Sequence, residues 1–107
     1  NMDLMGNGEE GATIVNATVF PSYFEQLESI NNQENYLTKL KKRGKAANSD
    51  HYFFSEAGVP SFFMYTMGDY THYHVPQDNC TALHFGPAYD KCFLLIRDFI
   101  LDLNKLN

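Results

Sequence analysis

Three short stretches carry side chains able to do chemistry: Thr71-His72-Tyr73-His74-Val75-Pro76-Gln77-Asp78-Asn79, the opening Asn1-Met2-Asp3-Leu4-Met5-Gly6, and Ser49-Asp50-His51. Carboxylate oxygen and imidazole nitrogen are both zinc ligands, and zinc generally takes four such donors. His74 stands two residues before Pro76 and four before Asp78, after an apolar run that reads as a buried strand. Open α/β sheets bind ligands beyond the carboxyl ends of their strands, so this stretch reads as half of a metal site. His72 and His74 would share a face on an extended chain, so a His-x-His pair is a second way to hold a metal there. His51 follows Asp50 at an expected helix start, where capping by Ser49 or Asp50 is the plain account. Asp78 is expected to fix its loop or cap the next turn, and His84 reads as a surface residue.

The elements that must position these residues follow from periodicity. Asn1 to Met5 alternates, with Met2 and Leu4 opposite Asp3, as the tail of a strand does. Gly6 to Gly11 reads as a loop, and its two glutamates, with no suitably spaced helix after it, exclude a phosphate cradle. Ala12 to Val19 is β-branched and predicts a strand that Pro21 ends. Ser22-x-x-Glu25 is a capping-box pattern, with Tyr23, Phe24, Leu27 and Ile30 at helical spacing, so a helix is expected from Ser22 to Asn31. Tyr36, Thr38 and Leu40 share a face of a strand near a sheet edge. A brief helix capped by Asn48 or Ser49 should carry Phe53 and Phe54 inward and end near Gly58. Pro60 to Met67 is apolar on both faces and is expected to be the central strand. Gly86-Pro87 opens a long helix with Pro87 at its first position and Tyr89, Cys92, Phe93, Ile96, Phe99, Ile100 and Leu103 on one stripe. Strand, strand, helix, strand, helix, strand, helix is the order of a layered α/β protein.

Size and charge bound the function. The 107 residues fit one modest domain, and 44% hydrophobic with 15% aromatic content excludes a disordered chain. A net charge of -5 weighs against nucleic acid or an anionic membrane as partner, since both reward a basic footprint. The basic run Lys39 to Lys45 reads as a solvated strand end and turn. No apolar run is long enough to span a bilayer. Cys80 and Cys92 have no metal-site spacing and read as buried free thiols, with a bridge between them as the alternative. The sequons at Asn16 and Asn79 carry meaning only in a glycosylating host.

Taken together, Asn1 to Gly6, Ser49-Asp50-His51, Ala57-Gly58-Val59-Pro60 and Tyr73-His74-Val75-Pro76-Gln77-Asp78 resemble, in that order, the zinc aminopeptidase family with two co-catalytic metals. Its members include bacterial leucyl aminopeptidase and glutamate carboxypeptidase-like enzymes, with glutaminyl cyclase and the transferrin receptor as catalytic outliers. The resemblance covers the family's C-terminal portion. It implies a three-layer α/β/α fold with a mixed, phosphorylase/hydrolase-like sheet, of which residues 1–107 form a single partial domain.

By the family pattern Asp3 binds one zinc and His74 the other, which favours His74 over the His72 and His74 pair. The resemblance implies a substrate pocket at Leu4, Ser49, Asp50, His51 and Tyr73; Tyr70, Met64, Tyr65 and Met67 are further neighbours, although core packing explains Met64 equally well. The family's remaining parts are a His-x-Asp pair, a bridging aspartate and a Glu-Glu pair that includes the general base. None is present, because Glu9 and Glu10 follow the Asp3 strand and lie among glycines. No catalytic residue is therefore expected within this chain, and the base is expected in a missing N-terminal half. Two zinc ions belong to the intact domain, and the chain alone should be metal-free or weakly metallated and inactive. The expected partners are a peptide substrate and that N-terminal half. A truncated sheet would also favour self-association. Export to the periplasm or secretion fits the family. The rival readings are a non-catalytic receptor-like module of the same fold and a single-zinc glutaminyl cyclase.

Overall fold

The computed structural model describes residues 1–6, 11–68 and 86–105. Their order is β1 (Gly11–Val15), α1 (Pro21–Glu34), β2 (Leu40–Lys42), α2 (His51–Glu56), β3 (Phe63–Met67) and α3 (Ala88–Asn104). The sheet runs β2-β1-β3, with β1 parallel to β2 and antiparallel to β3, so it is mixed as expected. The opening residues add an isolated parallel bridge, Met2 beside Met64, in place of a full strand. Among the described residues the middle strand is thus β1, while β3 lies between β1 and the opening segment. Both inner positions suit buried, apolar sequences.

Register divides the sheet into two faces. Met2, Met64 and Ile14 lie side by side, and Met64 and Ile14, with Ala12, join the core formed with Phe24 and Leu27 of α1 and Cys92 and Leu95 of α3, while Met2 stays exposed. On the opposite face the His51 ring of α2 stacks on Phe63, centroids 5.6 Å apart. Helices therefore cover both faces, which is the layered α/β/α arrangement. Among the described residues no helix is long and apolar enough to cross a membrane.

Local chemistry explains where elements depart from their expected bounds. The strand expected over Ala12 to Val19 stops at Val15, where Asn16 turns into the left-handed region, and Pro21 ends no strand but occupies the first turn of α1, behind Phe20, where its missing N–H costs nothing. The cap makes no side-chain hydrogen bond, so the Ser22 and Glu25 pattern is not used as a capping box. α1 also runs past Asn31, whose amide donates to the Leu37 carbonyl (3.0 Å) and accepts from the Leu37 N–H (2.9 Å). A buried asparagine satisfied in this way holds the helix end to the following connection, and Asn35 in the left-handed region closes the helix.

Two expectations about buried stripes are corrected. Phe53 and Phe54 are 73% and 61% exposed, and the residue α2 buries is His51. A six-residue helix presents one narrow face, and His51 takes it. In α3 the innermost residues are Ala88, Cys92 and Leu95, while Phe93 and Ile100 are exposed and Pro87 is the cap. Small Ala88 and Cys92 let the helix approach β1 closely, which turns the larger side chains toward the helix flanks.

Candidate active-site rim

The parallel bridge determines where Asp3 lies. Because the opening segment runs alongside β3 in the same direction, the Asp3 N–H donates to the Met64 carbonyl (3.3 Å) and the Thr66 N–H to the Leu4 carbonyl (3.2 Å). Asp3 thus lies beside the middle of β3, between the bonds to Met64 and Thr66, and the opening segment runs on past Leu4 toward the carboxyl end of that strand, the rim where ligand sites of α/β sheets form. The stretch between Gly68 and Gly86 leaves from this rim and returns to it, since the Gly86 N–H donates to the Gly6 carbonyl (3.2 Å). His72, Tyr73, His74, Asp78, Cys80 and His84, together with the Tyr70 neighbour and the Glu9-Glu10 pair, lie outside the described residues.

The Asp3 side chain is exposed and half-committed. Its Oδ1 accepts the Leu4 N–H at 2.8 Å, while Oδ2 has no hydrogen bond or ion pair among the described residues. One oxygen fixed and one open is the condition of a carboxylate able to bind a cation through a single oxygen. Leu4, next in sequence, has φ of 57°. A leucine in the left-handed region is strained by about 1–2 kcal/mol, so the surrounding bonds must hold it there. They are concentrated on one atom: the Leu4 carbonyl accepts both the Thr66 N–H and, at 2.9 Å, the Thr66 hydroxyl.

The Ser49-Asp50-His51 segment lies on the face opposite α1 and α3. The Asn1 side-chain amide donates to Ser49 Oγ at 2.6 Å, joining the segment to the start of the Asp3 stretch. Asp50 is exposed at the cap position of α2 and makes no capping bond, and Ser49 contributes its backbone carbonyl rather than its hydroxyl to the first turn. His51 is 1% exposed, and neither ring nitrogen has a hydrogen-bond partner. Burial holds its imidazole below the ordinary histidine range, opposed by the Ala46 backbone from outside good hydrogen-bond geometry. The structure therefore uses the His51 ring as a neutral packing group under α2.

Asn16 was not singled out by sequence as a structural residue, yet it joins several elements. It sits in the left-handed region after β1, 1% exposed, and its amide donates to Ser55 Oγ (3.2 Å) and the Ser61 carbonyl (3.1 Å). Asparagine tolerates this backbone conformation better than most residues, which is the signal available in the sequence. Its buried, donating Nδ2 leaves no room for a glycan at this sequon in the folded chain.

A cleft of about 680 Å³ opens elsewhere, between α1, α3 and the amino ends of the opening segment and β3. Its lining includes Met2, Tyr23, Phe62, Met64 and Phe99, without Asp3, Ser49 or His51. It is mainly apolar and its lining includes no carboxylate, imidazole or thiol that could bind a metal. Cys92, wholly buried in the core, is a free thiol whose pKa burial pushes up to about 11, which makes it a poor nucleophile.

Among the described residues no group of three or more His, Cys, Asp or Glu side chains converges as a metal site. Asp3 fits a zinc as one ligand by donor type, exposure and its open oxygen, and a complete site needs donors from beyond these residues. Comparison of the sequence with protein families matches Peptidase family M28 over residues 1–100. Neither the curated proteins nor the solved structures gave a match.

Proposed function

Since the chain belongs to peptidase family M28, a family of metallopeptidases, we propose that it supplies part of the two-zinc centre of an aminopeptidase. Asp3 is the ligand to one ion and His74 the ligand to the other. The remaining ligands and the general base come from residues outside this chain, which makes it a C-terminal portion of the catalytic domain.

The observation that carries this reading is the Asp3 carboxylate on the segment that runs beside β3 toward its carboxyl end, one oxygen pinned by Leu4 and the other open. The position of Gly68 directly after β3 and the bond from Gly86 to Gly6 support it further, because His74 follows Gly68 by six residues, a contour of at most about 20 Å. When bound, the zinc pair supplies Lewis-acid polarisation of the scissile carbonyl and a water nucleophile at neutral pH. The part played by this chain is to hold and orient: Asp3 presents a fixed carboxylate, and the bond from Asn1 to Ser49 holds the α2 segment beside it. Leu4, 43% exposed at the rim, and Tyr73 are the apolar surfaces offered to the substrate's N-terminal side chain.

The test is chelator-sensitive release of N-terminal amino acids from peptides by the full-length protein containing this chain. Asp3→Ala and His74→Ala should each lower kcat by more than about 100-fold. A zinc-replete protein without such release, or a full-rate Asp3→Ala variant, would overturn the assignment.

A further inference from the structure

We infer that Thr66 is a positioning residue for the Asp3 carboxylate, acting through the carbonyl of Leu4. This rests on the reading of Asp3 as a zinc ligand. The bonds form one chain: Thr66 Oγ1 and N–H both donate to Leu4 O, at 2.9 and 3.2 Å, and Leu4 N–H donates to Asp3 Oδ1 at 2.8 Å. Leu4, between the two ends, is held at φ 57°.

The hydroxyl adds a second bond to the strained residue beyond the one the backbone makes. Thr66 is 7% exposed on β3, and its partner across the ladder is Ala12, so packing alone would accept a valine. The backbone N–H already makes the bond that the strand requires. The second bond from the hydroxyl falls on the residue whose backbone would otherwise relax to an extended conformation. If Leu4 relaxed, its N–H would turn away from Asp3 Oδ1, and the carboxylate would gain the rotamer freedom that binding an ion must then remove. Groups that orient a ligand in this way typically contribute 10- to 100-fold, on the order of magnitude, to metal affinity.

The experiment compares Thr66→Val, Thr66→Ser and Asp3→Asn in the full-length protein. Zinc affinity is read by competition with a chromogenic chelator, amide hydrogen exchange at Leu4 is read in the metal-free protein, and kcat and KM are measured separately. Thr66→Val should weaken zinc binding by about 10- to 100-fold. It should also speed Leu4 exchange and lower kcat with KM little changed. Thr66→Ser, which keeps the hydroxyl, should restore all three. Thr66→Val with unchanged zinc affinity and unchanged Leu4 exchange overturns the inference, as does a Thr66→Ser variant that behaves like Thr66→Val. The two readings fail separately. Asp3→Asn binding zinc like the parent would sink the ligand assignment, whereas loss of zinc in Asp3→Asn beside an unaffected Thr66→Val would sink only the role of Thr66.

Discussion

The His51 imidazole has neither solvent nor a hydrogen-bond partner, and protonation would put a charge against Phe63. Its folded-state pKa lies below the ordinary value, so the unfolded chain takes up the proton first as pH falls. The stability tied to neutral His51 is present above the unfolded-state pKa of about 6.5 and is lost as pH falls below it toward the folded value. Urea midpoints measured between neutral and mildly acidic pH should therefore fall, and the fall through this window should flatten in His51→Phe, which keeps the ring contact without a titrating group. An equal slope in both proteins would assign the effect elsewhere. Asp98 works in the opposite chemical sense: hydrogen bonds from Tyr36 (2.6 Å) and from Arg97 (2.8 and 2.9 Å) hold its carboxyl below the usual range. Its contribution is present above the unfolded-state carboxyl value and is lost as pH falls below it.

At the scale of elements, α1 and α3 form the wall that closes one face of the sheet, joined by Gln26 to Asp102 at 2.6 Å and by their apolar seam. Leu95 lies at the centre of that seam and is wholly buried. Leu95→Ala should destabilise the chain by about 2–5 kcal/mol, the cost of lost burial plus an unfilled cavity, checked by urea unfolding. A loss under about 1 kcal/mol would mean that the seam collapses around the change. β1 and β2 are held at closer quarters than α1 and α3. Gly11 has φ of 122°, and a Cβ there would collide with the Lys39 carbonyl, so only glycine lets β1 begin beside β2. β2 is short, and its exposed Lys41 and Lys42 place charge on a strand edge, a common guard against further pairing.

At the scale of the molecule, apolar surface is left uncovered on both sides of the sheet. Phe53 and Phe54 of α2, Phe93, Ile100 and Leu101 of α3 and Met2 of the opening segment are all more than half exposed. Surface of this kind normally packs against something. The 107-residue chain should therefore associate with itself at high concentration, and Phe53→Ser with Phe54→Ser should reduce that association. Sedimentation velocity over a concentration series checks this, with a strictly monomeric parent as the contrary result.

The sequence by itself determined the layered α/β class and the family. It also picked out Asp3, because strand alternation, helical stripes and the order of short motifs are properties of neighbouring residues. It ended the edge strand within one residue of Lys42 but began it four residues early, at Tyr36 where β2 starts at Leu40, and it placed the start of the long terminal helix to within two residues. Only the tertiary structure decided that His51 packs inward while Phe53 and Phe54 face out, since a single-turn helix can show either face to a sheet. The same holds for Thr66, an inconspicuous hydroxyl in an apolar strand. Its bond to Leu4 spans 62 positions of sequence, and the strain it restrains exists only once the opening segment lies along β3. Local spacing carries no record of contacts made across the fold, and those contacts decide how the Asp3 carboxylate is held.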